Sequence, residues 1–333
     1  MTPTAARPLM RLGRLLLLIA GVGVVGYMVW QIGPGAVWES LRALSWWLVL
    51  VICFPYALST TLDTLGWRLL FAAPPAPFSR LWAARLAGEA VNITTPTASV
   101  GGEPVKAYLL RAWVPLPLGL ASVVVDKTAM VLGQGVFLAL GLVLALGSSL
   151  APAHSPVMTS MLVLLAVEVL AVGGFVIAQL QGLAGRGGRL LARFGMGPSA
   201  ARQEKLEGLD RALAGFYRGR RRIASAILVH AVAYVVGSLE IYIVLNLLGI
   251  PVSLLTAVVI ESFGAAVKFA SFMVPGSLGA LEGGNIAIFA AFGLGGAVGL
   301  SYTLIRRLRE IAWVLVGLAF LALHSQAVTE RGP

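Results

Sequence analysis

Six apolar runs, at 13 to 32, 46 to 71, 118 to 147, 157 to 180, 223 to 249 and 298 to 323, each reach the roughly 20 residues that a helix needs to cross a bilayer. Nothing else in the chain constrains its fold as strongly. Hydrocarbon offers a bare backbone no hydrogen bonds, so such runs cross as helices, and the chain is expected to be an all-α polytopic membrane protein. With 58% hydrophobic and only 12% charged residues over 333 positions, the whole of 1–333 reads as one transmembrane domain. The single cysteine, Cys53, leaves no disulfide framework. A net charge of +11 in such a chain reports loops facing an anionic leaflet and argues against nucleic acid as a partner.

The charges order the runs. Arg7, Arg11 and Arg14 precede the first run, which is long and lacks a small-residue cleavage site, so 1–45 is expected to be an N-terminal helix and linker with a cytoplasmic N-terminus rather than a signal peptide. The basic segment 181–222 is the one long hydrophilic stretch, and the positive-inside rule places it in the cytoplasm, against the anionic lipids of the inner leaflet. The segment 148 to 156 has no Lys or Arg and fits the opposite face of a bacterial inner membrane.

Two apolar stretches are broken instead of continuous. In the first, 81–113, Pro96 and the pair Gly101-Gly102 interrupt the run, and Arg80, Arg85, Lys106 and Arg111 flank it as though both ends were cytoplasmic. In the second, 252–297, the break is "VPGSLGALEGGN". Both read as re-entrant hairpins. Pro96 precedes Glu103 by seven residues, and Pro275 precedes Glu282 by seven. Glu89 and Lys268 each stand seven before their proline, and a charged pair follows each motif, Asp126-Lys127 and Arg306-Arg307. These agreements predict a duplicated unit: repeat one over 46–147, a connecting helix at 157–180, and repeat two over 223–323. Three spans separate the hairpins, so the repeat is expected to be inverted, with broken helices meeting near the midplane.

"GEAVNITTPTASVGGEPVKAYLLR" and "VPGSLGALEGG" resemble the paired signatures of the lysylphosphatidylglycerol synthase transmembrane-region family, the flippase-like membrane domain also found in the multiple peptide resistance factor and in stand-alone hopanoid-associated proteins. The resemblance covers about 40 to 323. It implies translocation of an amphipathic lipid, phosphate-bearing or hopanoid-type, between leaflets. No aminoacyl-transferase domain follows the last run, so lipid synthesis is not implied.

The expected substrate-binding residues are Glu89, Asn92, Pro96, Gly102, Glu103, Arg111, Asp126 and Lys127 in the first half. In the second half they are Lys268, Pro275, Gly276, Glu282, Arg306, Arg307 and Glu310. Guanidinium forks suit a phosphate headgroup, and charges at membrane depth are too costly to face lipid. The plain alternatives are a helix end whose arginines snorkel to headgroups, and acids that cap helix N-termini. Glu168 and Glu240 stand alone in apolar runs and are weaker candidates. No cofactor or metal is expected: His154, His230 and His324 are scattered, and no GxxxxGK[ST] loop is present. The chain is not expected to be an enzyme. An intramembrane transferase and a non-catalytic scaffold for lipid synthesis are the rival readings, and the sequence leaves a homodimer open.

Overall fold

A computed structural model describes residues 47–95, 97, 100–148, 155–182, 185–186, 199–272, 274 and 277–330, with Trp30 and Gly35. The predicted span 13 to 32, Pro96, Pro275 and Gly276 lie outside the described residues apart from Trp30. The regular structure of the described residues is helical throughout, and the chain is an all-α membrane protein. Three helical stretches are long and apolar enough to cross a membrane by length and composition: Leu116–Gly147, Pro156–Leu180 and Arg220–Leu247. The apolar runs predict six; α1 and α11, below, occupy two of the other runs.

The first half runs α1 (Trp47–Leu70), α2 (Phe78–Thr94), α3 (Gly102–Leu109) and α4 (Leu116–Gly147). After α5 (Pro156–Leu180) and α6 (Ala200–Arg218), the second half runs α7 (Arg220–Gly237), α8 (Leu239–Leu247), α9 (Leu254–Ala270), α10 (Ala280–Ala291) and α11 (Gly296–Glu330). Helix starts follow local chemistry. Ser155 accepts from the Met158 N–H with Pro156 in the first turn of α5, and Ser253 accepts from the Thr256 N–H at the start of α9.

The two broken elements match in length, since α2 and α9 each have 17 residues, short of a full crossing. At the first break, the Asn92 carboxamide oxygen accepts from the Gly102 N–H at 2.7 Å and the Thr97 hydroxyl accepts from the Gly101 N–H at 3.0 Å. At the second, Glu282 accepts from the Gly279 N–H at 2.7 Å, and Gly279 has φ of 79°, the left-handed region open to glycine. Backbone groups that a continuous helix would have paired are thus satisfied by side chains.

The halves exchange partners. The long helix α4 packs on α9, and the long helix α11 packs on α2. Gly141 of α4 seats against Ser262, the ninth residue of α9, and Gly317 of α11 seats against Leu86, the ninth residue of α2. The apolar core follows this exchange: one cluster joins α2, α3 and α4 to Val314, Leu318 and Leu321 of α11, and the other joins α9 and α10 to Leu138, Leu142 and Ala145 of α4. On α5, Val163, Val169, Leu170, Phe175 and Ile177 remain exposed, as lipid-facing side chains would be.

The basic segment is not simply a loop. Its described part includes α6, which inserts Leu213 and Phe216 into the first core cluster. It is also tied down by Tyr217, which donates to Gln179 of α5 at 3.0 Å, while Gln179 donates to Thr128 of α4 at 3.1 Å. Lys205, Arg211, Arg218, Arg220 and Arg221 stay exposed.

Candidate functional site

Each hairpin is bound to the long helix of its own half by two ion pairs. The first pair reverses polarity between the halves. Arg85, the eighth residue of α2, donates to Asp126, the eleventh of α4, at 2.6 Å. Glu261, the eighth residue of α9, accepts from Arg306, the eleventh of α11, at 2.8 Å. The second pair keeps its polarity: Glu103 lies 3.9 Å from Lys127, and Glu282 accepts from Arg307 at 2.8 Å. Lys127 and Arg307 are the twelfth residues of α4 and α11. Counting along the helices therefore equates Asp126-Lys127 with Arg306-Arg307, as the sequence spacing does.

The register corrects one equivalence. Lys268 is the fifteenth residue of α9 and stands opposite Asn92, the fifteenth of α2, not opposite Glu89. A second correction concerns the flanking charges. The sequence pattern makes Arg85 and Lys106 cytoplasmic flanks, but their side chains are each 1% exposed, with Lys106 donating to Glu89 at 2.9 Å and to Glu103 at 3.1 Å. They are interior counter-ions. Only Arg80 and Arg111 remain at the hairpin's outer ends, Arg111 lying over the Tyr108 ring and donating to the Tyr108 carbonyl at 3.1 Å. Arg111 does not join the cluster.

In the first half the structure brings together Glu89, Asn92, Gly102, Glu103, Lys106 and Lys127. Asn92 donates to Glu103 at 3.2 Å while holding the Gly102 amide, so the start of α3 is clamped to the end of α2. A Cβ on Gly102 would run into the Gly88 carbonyl, which is why these helices meet there. In the second half Arg307 is fully engaged: it donates to Glu282, to Glu310 at 2.7 Å and to the Ser277 carbonyl at 3.2 Å. Glu310 pairs with Arg307 and lies 3.9 Å from Lys268, leaving Arg306 to Glu261 and Tyr302. Arg309 lies 3.1 Å from Glu240 of α8 and under the Tyr56 ring, so Glu240 is an interhelical partner.

The arginines are thus buried and matched to carboxylates, whereas the side chains of Lys127 (30% exposed), Lys268 (50%), Glu89 (23%) and Glu282 (22%) reach the surface of the cluster. The two halves are close there: Glu89 lies within electrostatic reach of both Lys127 and Lys268, and Tyr56 within reach of Glu89, Arg309 and Glu310. The arrangement leaves one accessible cation and one accessible acid from each half.

Sequence reasoning missed Arg85, Lys106 and Glu261 as site members, along with Asp63 and His230. A detectable signal existed for one pair, because Arg85 and Glu261 share a helix position with opposite charge. Glu168 is buried beside Gly135 and has no hydrogen-bond partner among the described residues. No group of three or more His, Cys, Asp or Glu suited to a metal ion occurs among the described residues.

No solved structure matches the chain. A UPF0104 membrane protein of Methanothermobacter thermautotrophicus is similar, 25% identical over 338 aligned positions that cover 95% of this chain and 97% of the relative. The family model described as the lysylphosphatidylglycerol synthase TM region matches residues 13–319. That match takes in both hairpins, α4, α11 as far as residue 319 and every ion pair above, and the chain belongs to the lysylphosphatidylglycerol synthase TM region family, whose membership implies a membrane lipid-related function.

Proposed function

We propose that the protein moves an amphipathic lipid between the leaflets of a bacterial inner membrane without converting it chemically. The headgroup is held among Glu89, Lys127, Lys268 and Glu282 while the tails stay against apolar helix faces. The observation that carries this reading is the contrast in burial. Eight charges are sequestered in four pairs, Arg85 with Asp126, Lys106 with Glu103, Arg306 with Glu261 and Arg307 with Glu310, and four others, two from each half, are left accessible beside them. A zwitterionic or phosphate-bearing headgroup meets complementary charge there, since lysine binds phosphate as a point charge. A hopanoid-type lipid would lean on the apolar walls instead. The exposed cations of α6 suit anionic inner-leaflet lipids.

The test is leaflet exchange by purified protein in liposomes, using fluorescent phosphatidylglycerol, phosphatidylethanolamine and a hopanoid alcohol. A charge-assisted hydrogen bond is worth about 1.5–3 kcal/mol, so Lys127→Gln or Lys268→Gln should slow exchange of a phosphate-bearing lipid by roughly tenfold or more. Exchange of every probe at the protein-free rate would reject the proposal. Unchanged rates in both lysine variants would reject the headgroup site.

Orientation has its own expected result. Gly215 on α6 has open space around it, so Gly215→Cys should be tolerated and should react with an impermeant maleimide only from the cytoplasmic side. Labelling from the outside of intact cells would reverse the topology.

A further inference from the structure

One buried cluster contains none of the four accessible charges of the headgroup site. His230 of α7 is fully buried, with its Nδ1 2.7 Å from Asp63 Oδ1 of α1 and its Nε2 3.1 Å from Asp126 Oδ1 of α4. Arg85 of α2 closes the cluster, donating to Asp126 at 2.6 Å and to the Asp63 carbonyl at 2.9 Å. The ring occupies a slot between two glycines. A Cβ on Gly66 would lie 2.8 Å from Nε2, and one on Gly133 would lie 2.8 Å from the His230 Cβ. Four helices therefore converge on one cluster.

An ionised carboxylate accepts hydrogen bonds and donates none, so both ring nitrogens facing carboxylates must be donors. A ring with two N–H groups is an imidazolium. The charges agree: Arg85 and a protonated His230 balance Asp63 and Asp126, whereas a neutral ring leaves one negative charge without a counterpart in a buried cluster. The other charged groups in electrostatic reach are Glu89 on α2 and Glu103 and Lys106 on α3, and the two glutamates are matched by Lys106 together with Lys127 of α4. Among the described residues the second hairpin has no such histidine partner. At the equivalent place Glu261 meets Arg306 and Tyr302, with no histidine among the partners.

We propose that Asp63, His230 and Asp126 form a proton-binding site, which takes one proton onto the His230 ring and in doing so holds α1 and α7 against the α2–α4 pair. Asp63 is the entry point, because its side chain is 16% exposed while Asp126 and His230 are closed off. The proton adds to the ring nitrogen lone pair facing Asp63 and leaves by the same atom, so no other reactant is consumed. Its loss leaves the cluster with an unbalanced negative charge and loosens the attachment of the first hairpin, which has no counterpart in the second half. The inference rests on the lipid-transport reading for one further consequence: movement of the hairpin, and with it the lipid, is linked to proton uptake.

Two measurements test it separately. In full-length protein labelled with 15N-histidine and reconstituted in nanodiscs, one of three histidines should show both nitrogens protonated at pH 8, where an exposed histidine is almost wholly neutral. That signal should vanish in His230→Gln. In Asp63→Asn, chosen to keep the shape of the slot, it should convert to a singly protonated ring. A singly protonated His230 in the unaltered protein overturns the site. In liposomes carrying the fluorescent phosphatidylglycerol probe, a gradient of one pH unit coupled one to one should shift the leaflet ratio about tenfold, and Asp63→Asn should abolish the shift. Exchange that ignores the gradient overturns the coupling. No exchange of any lipid counts against the lipid reading, while the nitrogen spectra still decide the proton site.

Discussion

Glu261→Leu is expected to lower the unfolding free energy by about 3–5 kcal/mol, because it leaves the Arg306 guanidinium buried without its carboxylate. The double variant Glu261→Leu with Arg306→Leu should recover most of that loss, since an apolar pair of similar volume removes both the attraction and the cost of keeping charge out of water. The Tyr302 hydroxyl, which accepts from Arg306 at 3.0 Å and donates to Glu261 at 3.5 Å, would then lose both partners. The mirror experiment should come out differently. Asp126→Leu with Arg85→Leu removes one of the two carboxylates held by His230, so the double variant is expected to recover less. Equilibrium unfolding in mixed micelles supplies all the values. Additive losses at Glu261 and Arg306 would mean that the pair does not act as a unit, and equal recovery in both halves would contradict the tie between Asp126 and His230.

Gly102→Leu should abolish lipid exchange while the protein still inserts into the membrane. The start of α3 lies against the backbone of α2, so a side chain at Gly102 meets a carbonyl that cannot rotate away and crowds Asn92, whose carboxamide holds both the Gly102 amide and Glu103. Overpacking typically costs about 1–3 kcal/mol, and here it separates the two arms that carry Glu89, Glu103 and Lys106. Gly119→Ala is the control, because its added Cβ would sit 3.5 Å from Ala107, an ordinary contact. Wild-type exchange in Gly102→Leu at matched expression would remove the first hairpin from the transport path, and loss of exchange in Gly119→Ala would show that the assay reports general instability.

Several site features are legible in the linear chain alone. Glu103 and Glu282 stand seven residues after their prolines, and Asp126-Lys127 and Arg306-Arg307 are equivalent charged pairs; the fold brings Glu103 to Lys127 and Glu282 to Arg307. The misreadings share a cause. Arg85 and Lys106 look interfacial because positive charge beside an apolar run usually faces the cytoplasm, a rule that weighs composition and ignores partners. Counting from prolines matches Glu89 to Lys268, whereas the helices place Asn92 at that position.

Apolar runs, breaks and spacings are local properties of the chain, and the lack of water in a bilayer turns a local run directly into a helix. The all-α membrane class, the family and the two broken segments were therefore determined by sequence alone. Which buried charge meets which was not. Asp126 finds Arg85 across 41 positions and His230 across 104, and Arg306 finds Glu261 across 45. Spacing along the chain does not encode those partners: the ion pairs join each long helix to the hairpin of its own half, while α4 and α11 pack on the hairpin helix of the other half. Burial makes an unpaired charge too costly to keep, so the tertiary packing of the helices decided which ions are hidden as structural pairs and which four stay accessible.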